Sequence, residues 1–318
     1  MPKKRHHYVP ISYLKSFANV DGKLLVYRKD APKNPYISSP ENTGFEKYYY
    51  AFENQAGIYD TDSLEDVFST VEALWPNYLS SMMRREEDGS HLSDILEFVA
   101  LQRSRVPATR DVWEYMHTDS LGAIARFMQS QGALPEAPPR SKDILDRVNF
   151  SINPESSLEA IARGLSACEK LFNTLNFSIL FNQTSIPFLT SDNPVIWYDP
   201  TVADSSLKPY QIDLDGPIEL LFPLSPEAIL FGSNQPQKEL LHYGEVKATS
   251  IAMRMNRLLI RFAYNTVFAR DDQHQKLIEQ HADESPTIRT TSIPSIRGQY
   301  IVGEAVFAKR RQKVKWEE

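Results

Sequence analysis

Two adjacent histidines, His6 and His7, are the first residues of the chain whose side chains could do chemistry. Imidazole titrates near neutral pH, so either one could transfer a proton or bind a metal ion. Neighbouring side chains on an extended segment point to opposite faces, so one histidine can enter a site while the other packs or faces solvent. We therefore expect a catalytic role for this pair, with a packing or capping role as the alternative.

A second group of polar residues belongs to one helical stretch. Gln102 follows Val99 by three residues, and Arg105 follows Gln102 by three, so both continue the buried face of that helix. Buried polar groups need partners. A guanidinium there could hold a phosphate or carboxylate in a bidentate fork, or pair with an internal glutamate. We expect Gln102, Arg105 and the following Arg110 to bind an anionic substrate.

Acidic residues could complete such a site. Glu65 and Glu72 are seven residues apart and share one helix face, where they could pair with an arginine, act as a general base or bind a metal. Surface exposure is the ordinary alternative for both. We expect Glu72 to be catalytic and Glu65 to be a candidate metal ligand.

The third group is the segment Thr190-Ser191-Asp192-Asn193-Pro194, which follows an apolar strand. Catalytic residues often lie at strand ends and in loops. Asp192 could orient a histidine, accept its proton or bind a metal, and Ser191 and Asn193 could contact substrate. These residue types are equally typical of a plain turn. For a divalent metal ion, the candidate ligands are His7, Asp192 and Glu65.

Composition excludes several classes of protein. With 318 residues and a net charge of −6, the chain as a whole is not a coat for nucleic acid. One cysteine, Cys168, excludes an internal disulfide framework and suits a reducing compartment. No apolar run is long enough to span a bilayer, and no apolar segment follows the basic residues at the start, so we expect a cytoplasmic bacterial protein with no membrane partner. The basic residues near both ends, including Lys313 and Lys315, are interpreted as solvated tails.

Hydrophobic periodicity predicts an α+β fold with a mostly antiparallel sheet built from both ends of the chain and a central helical portion. We expect one domain whose parts are a front strip with a helix and hairpin (1–55), a helical portion (60–173), a β-rich portion with a late helix (174–270) and a polar segment (271–318). The hairpin is expected to pair residues 23–28 with 45–52. Pro76 is expected to kink one long helix.

Two resemblances bear on these residues. His6-His7-Tyr8-Val9-Pro10 is similar to the first strand of a ββα-metal nuclease finger, but the second half of that motif is absent, because Asn19 comes too soon and the next histidine is His91. The same segment, with Tyr13, Leu14 and Phe17, also resembles the opening of the bacterial domain-of-unknown-function 4238 family.

Later segments fit that second resemblance in order over about residues 5–270. They are Glu65 and Glu72, Gln102 with Arg105, Pro107 and Arg110, the segment 190–194, the segment 223–226, and Asn256. The resemblance implies that these polar groups belong together. By analogy with other families of this kind, it also suggests a role in bacterial conflict or phage defence.

We therefore expect a hydrolase of phosphodiesters, most plausibly a nuclease, with nucleic acid or a nucleotide as its partner. The alternative is a non-catalytic module that binds an anionic ligand, a nucleotide or a partner protein, with structural histidines. The residues do not identify the substrate.

Overall fold

The computed structural model describes residues 4–53, 57–135, 144–148, 150–295 and 298–311. Within these ranges, helices combine with mostly antiparallel sheets, which confirms the α+β class. The helices are α1 Ile11–Leu14, α2 Ser63–Glu72, α3 Trp75–Met83, α4 Leu92–Ser104, α5 Pro107–Ser130, α6 Ile144–Arg147, α7 Glu159–Phe172, α8 Thr249–Phe262 and α9 Gln275–Gln280.

The strands divide between the front and the second half of the chain. They are β1 Arg5–His7, β2 Leu24–Arg28, β3 Tyr36–Ser38, β4 Phe45–Lys47, β5 Phe52–Glu53, β6 Tyr59–Asp60, β7 Asn176–Asn182, β8 Thr190–Ser191, β9 Ile196–Tyr198, β10 Glu219–Ser225, β11 Ala228–Ser233, β12 Leu241–Val246, β13 Thr266–Ala269, β14 Ser285–Ser295 and β15 Gly298–Ala308.

Two sheets carry the body of the protein. A five-stranded sheet has the order β12-β7-β11-β10-β9, with only β12 and β7 parallel. A four-stranded sheet has the order β3-β2-β13-β8, so strands from the front of the chain lie beside late ones. A sheet built from both ends of the chain was therefore correctly predicted.

The expected hairpin between 23–28 and 45–52 is wrong. Strand β2 pairs with β3 and β13, whereas β4 pairs antiparallel with β1. Strand β4 ends at Lys47 because Tyr48 adopts a φ of 56°, a left-handed conformation that interrupts an extended strand. Strands β1 and β4 therefore form a separate two-stranded ribbon, and both histidines lie on β1.

Two prolines begin helices. Pro76 lies in the first turn of α3 and Pro107 is the first residue of α5. At these positions the missing N–H has no intrahelical partner to lose. The predicted kink at Pro76 is therefore a break between two helices.

A buried tyrosine fixes the front segment to the β-rich part. The Tyr13 hydroxyl donates to the Pro223 carbonyl at 2.9 Å and lies 2.6 Å from the Thr190 hydroxyl. Its ring stacks on Phe222 with centroids 5.1 Å apart. The front strip is therefore an integral part of the main hydrophobic core, which also includes residues from the central helices.

Secondary structure continues beyond residue 270 in the described part of the chain. It includes α9 and the long hairpin β14–β15, which packs against α5. Tyr115 on α5 donates its hydroxyl hydrogen to the Arg311 carbonyl at 2.9 Å. None of the helices in the described part of the chain has the length and hydrophobicity needed to cross a bilayer.

Candidate functional site

The two histidines lie on β1 and have different environments, as alternation along a strand predicted. His6 is fully buried, and its Nδ1 accepts the backbone N–H of Tyr50 at 2.8 Å. The two rings stack with centroids 5.7 Å apart. His6 therefore holds the segment after β4 in place, and its predicted catalytic role has no geometric support.

His7 is only partly buried and faces a group of charged residues. Its Nε2 finds no hydrogen-bond partner among the described residues. Burial lowers the pKa of His7 below its usual value, with Arg105 and Arg5 acting in the same direction and Glu72 opposing them. His7 is therefore a neutral imidazole at neutral pH, with a ring nitrogen able to accept a proton.

Arg105 is the central cation of this site. It caps the C-terminus of α4 and its side chain is fully buried. Its Nη1 donates to Glu72 Oε1 at 2.5 Å, and its guanidinium carbon lies 5.5 Å from the centre of the Phe68 ring. Glu72 is the last residue of α2 and keeps 23% of its side chain exposed. The internal Arg–Glu pair considered from the sequence is therefore present.

That pair uses only one part of the guanidinium. Arg105 Nε and Nη2 have no hydrogen-bond partner in the described part of the chain. These two nitrogens form one edge of the planar group, which matches two oxygens of a phosphate or carboxylate. Glu72 thus anchors Arg105, and the bidentate edge of the guanidinium is buried with no partner among the described residues.

Gln102 adds a second group with unused bonding capacity. It lies one turn before Arg105 on α4 and is fully buried. Neither its Nε2 nor its Oε1 has a partner among the described residues. Buried polar atoms in native proteins are nearly always hydrogen-bonded, so Gln102, Arg105 and His7 together leave a bonding deficit that a polar ligand or water would fill.

We call His7, Glu72, Gln102 and Arg105 the arginine site. Its members come from β1, α2 and α4. His7 and Glu72 are its partly exposed members, so a ligand would reach the buried edge of Arg105 past them. Arg105 can hold an anion, Gln102 can donate or accept a hydrogen bond, and His7 can transfer a proton.

Glu65 lies near this site without joining a metal centre. It shares the α2 face with Glu72, and both carboxylates help to raise the pKa of the buried Tyr50 phenol, after the effect of burial. Among the described residues, no three His, Cys, Asp or Glu side chains form a group that could hold a metal ion. The proposed metal set of His7, Asp192 and Glu65 is not assembled here.

Arg110 contacts a neighbouring part of the structure. Its Nε donates to Ser157 Oγ at 2.9 Å, and Nη1 donates to the Tyr49 carbonyl. Its guanidinium carbon lies 4.2 Å from the centre of the Tyr49 ring. Arg110 thus fixes the segment after β4 onto α5, and its predicted substrate contact stays a prediction.

Asp192 binds the backbone of the turn after α8, and its predicted catalytic role stays a prediction. It is nearly fully buried, and its carboxylate accepts the backbone N–H groups of Tyr264, Asn265 and Thr266 at 2.7–2.9 Å. Burial raises the pKa of this carboxyl to about 6, although these bonds and nearby Lys29 oppose the shift. The bonds use both carboxylate oxygens, so the geometry favours a clamp on the turn after α8.

The neighbours of Asp192 serve the same turn. Asn193 Nδ2 donates to the Phe262 carbonyl at 2.8 Å, and Ser191 Oγ accepts the backbone N–H of Asn193 at 3.1 Å. Both residues are fully buried. The turn interpretation of segment 190–194 therefore explains these contacts, and the substrate-binding roles predicted for Ser191 and Asn193 are not tested by them.

Lys29 is a buried member of this clamp that the sequence did not reveal. Its Nζ donates to the carbonyls of Arg261, Ala263 and Glu284. Burial lowers its pKa to about 7. The one available signal was a charged residue directly after the apolar strand β2, which is indistinguishable from an ordinary surface lysine.

The sequence also did not reveal an aromatic pair or the contacts of one arginine near the C-terminal end of the described chain. Tyr8 and Tyr49 pack with ring centroids 5.8 Å apart, and burial, with a smaller contribution from Asp192, raises the pKa of the Tyr8 phenol. Arg310, interpreted from sequence as part of a solvated tail, lies 3.6 Å from Asp111 and over the Tyr264 ring. Lys313 and Lys315 of that expected tail lie outside the described residues.

The fold and this site define an α+β protein with a buried arginine whose bidentate edge is unused. A family model described as "Protein of unknown function (DUF4238)" matches residues 5–273. The chain therefore belongs to the DUF4238 family, which confirms the resemblance seen in the sequence. No curated protein and no solved structure matched it.

Proposed function

We propose that this protein binds a phosphodiester at the arginine site and hydrolyses it, most plausibly as a nuclease. The observation that carries the proposal is the unpartnered Nε and Nη2 edge of the fully buried Arg105. Two parallel hydrogen bonds from this edge fit two non-bridging phosphate oxygens. Gln102 would bond a third oxygen or a leaving group.

His7 supplies the proton transfer in this proposal. Its lowered pKa keeps the ring neutral at neutral pH, so Nε2 can accept a proton from an attacking water. Arg105 would stabilise the charge that develops on the phosphoryl oxygens. Glu72 orients Arg105 through their ion pair and need not touch the substrate.

The second candidate function is binding of a phosphate-bearing anion or nucleotide without hydrolysis. One observation favours it: both oxygens of Asp192, the carboxylate expected to assist His7, accept backbone N–H groups. Binding would then use Arg105 and Gln102, and His7 would only shape the site.

Phage defence is proposed by analogy as the biological role of the hydrolase. A reducing cytoplasm is proposed as its location, because it suits the buried thiol of Cys168.

A hydrolysis assay separates the two functions. Bis(p-nitrophenyl) phosphate and single-stranded DNA and RNA would be incubated with wild type, His7→Ala and Asp192→Ala, each with and without EDTA. His242→Ala is the matched control, since His242 is an exposed histidine on β12. Turnover that is lost in His7→Ala and kept in His242→Ala supports the hydrolase.

Each other outcome also decides something. Phosphate binding without turnover in wild type supports the second function. Loss of turnover in EDTA assigns a divalent ion to the reaction. Turnover that survives His7→Ala refutes the role of His7.

A further inference from the structure

The ribbon of β1 and β4 carries a row of side chains on one face that leads to the arginine site. Arg5 lies directly opposite Lys47 in the antiparallel register, and His7 lies opposite Phe45. The guanidinium carbon of Arg5 lies 4.9 Å from the centre of the Phe45 ring, and the His7 ring centroid lies 5.3 Å from it. The face thus runs from two exposed cations to His7.

The cation pair at the outer end is unfavourable on its own. Like charges directly opposite each other on a sheet destabilise the pairing. Glu46 directly precedes Lys47 in sequence and lies opposite His6, so alternation places its side chain on the other face of the ribbon. Arg5 donates to the neutral side chain of Asn42. An anion between Arg5 and Lys47 would relieve their repulsion.

The spacing along this face suits a chain of phosphates. Arg5 and His7 are two residues apart, which is about 6.8 Å on an extended strand. This is the scale that separates successive phosphates in an extended single strand. One phosphate could lie between Arg5 and Lys47 while the next reaches His7 and Arg105.

We propose that the β1–β4 ribbon is the entry track for a single-stranded nucleic acid. This inference rests on the proposed function, because the phosphate beyond the ribbon occupies the arginine site. Arg5 then has a binding role, whereas the sequence analysis interpreted the basic residues at the front as a solvated tail.

An aromatic side chain at the end of the ribbon supports nucleic acid over other polyanions. Tyr48 follows Lys47, and its backbone N–H donates to the Lys4 carbonyl at 3.1 Å. This bond and the left-handed φ of 56° fix a residue that is 39% exposed, and its ring lies edge-on to His6 with centroids 6.4 Å apart, at the end of the ribbon. An exposed tyrosine beside cations is a platform on which a base can stack, a contact that a polyphosphate or an acidic peptide cannot make.

The test is fluorescence anisotropy of a labelled oligothymidylate over a series of salt concentrations. The variants are the double change Arg5→Ala with Lys47→Ala, the single change Tyr48→Ala, and Lys23→Ala as an exposed lysine away from the ribbon. Circular dichroism checks that each variant is folded. We expect affinity to fall at least tenfold in the double variant and about 5–100-fold in Tyr48→Ala, with no change in Lys23→Ala.

The salt dependence gives a second readout. The double variant loses the one phosphate contact placed between Arg5 and Lys47, so the slope of log affinity against log salt should fall by about 0.7. Unchanged affinity and slope in the double variant would overturn the entry track. Equal competition by poly-glutamate, or no loss in Tyr48→Ala, would overturn its assignment to nucleic acid.

Turnover of the small diester separates failure of this inference from failure of the proposed function. Bis(p-nitrophenyl) phosphate carries a single phosphate and cannot fill the arginine site and the position between Arg5 and Lys47 together. Its hydrolysis should therefore continue in the single variant Lys47→Ala, which keeps Arg5 and its effect on the His7 pKa. If it is hydrolysed in a His7-dependent manner and oligonucleotide affinity ignores the ribbon, only the entry track is wrong. If oligonucleotide binds the ribbon and no diester is hydrolysed, only the hydrolase is wrong.

Discussion

Replacing Arg105 with methionine distinguishes a ligand-binding arginine from a structural one. Methionine fills a similar volume with no charge and no donors. The variant loses the charge-assisted bond to Glu72, worth about 1.5–3 kcal/mol. It also removes two buried donors without partners, each of which costs about 1–3 kcal/mol. Glu72 is 23% exposed and can regain water after the change.

The removal of the two unpartnered donors offsets the lost bond, so we expect the free energy of unfolding to fall by no more than about 1 kcal/mol. A purely structural buried pair would behave differently, since removing one partner strands the other charge and costs about 3–5 kcal/mol. Urea unfolding of both proteins measures the difference. Arg84→Met is the control, because Arg84 forms an exposed pair with Glu86 and its loss should leave the free energy unchanged.

The ligand response completes this prediction. A phosphodiester at 100 times its dissociation constant should stabilise wild type by about 2.7 kcal/mol. Losing the two charge-assisted bonds from Arg105, each worth about 1.5–3 kcal/mol, should weaken binding by about 150-fold or more and remove most of that gain at the same concentration. A loss of about 3–5 kcal/mol in the free variant, with equal ligand stabilisation of both proteins, would refute the binding role of Arg105.

Three further changes test other parts of the structure. Asp192→Asn replaces one acceptor oxygen with an amide and leaves buried backbone N–H groups unbonded, so urea unfolding should show that the free energy of unfolding falls by about 2–5 kcal/mol while phosphate affinity is kept. A loss of phosphate affinity with stability intact would contradict the clamp. Tyr13→Phe removes the hydroxyl that joins the front strip to β10, and urea denaturation should show that the free energy of unfolding falls by about 1–3 kcal/mol. An unchanged free energy of unfolding would contradict that anchoring role. Because the pKa of His7 is lowered in the folded state, the unfolded chain binds more protons just below pH 6.5, so the stability of wild type falls as the pH falls there. Urea unfolding of His7→Gln over the same pH range should show a smaller fall. Identical profiles would contradict a buried neutral imidazole.

Local spacing predicted part of the site correctly. The three-residue steps from Val99 to Gln102 and Arg105 placed both polar side chains on the buried face of α4, where they lie. Alternation along β1 separated His6 from His7. These inferences succeeded because they depend on the geometry of a single element.

Contacts between distant segments were not predictable in the same way. Residues of the types found at 190–194 suit both a turn and an active site, and only the folded chain decides which backbone N–H groups Asp192 meets. The hairpin prediction failed because β4 pairs with β1, a choice made by tertiary packing. The buried position of Lys29 and the partly buried position of Arg310 depend on segments far away in sequence, which no local pattern encodes.

A structure of the protein with a non-hydrolysable dinucleotide phosphorothioate tests the proposed site most directly. We predict that the phosphorothioate lies within hydrogen-bond distance of Arg105 Nε and Nη2, with Gln102 as a further partner and His7 Nε2 facing the phosphorus. A complex in which Arg105 and Gln102 are bonded only to protein and water, with the dinucleotide bound elsewhere, would contradict it.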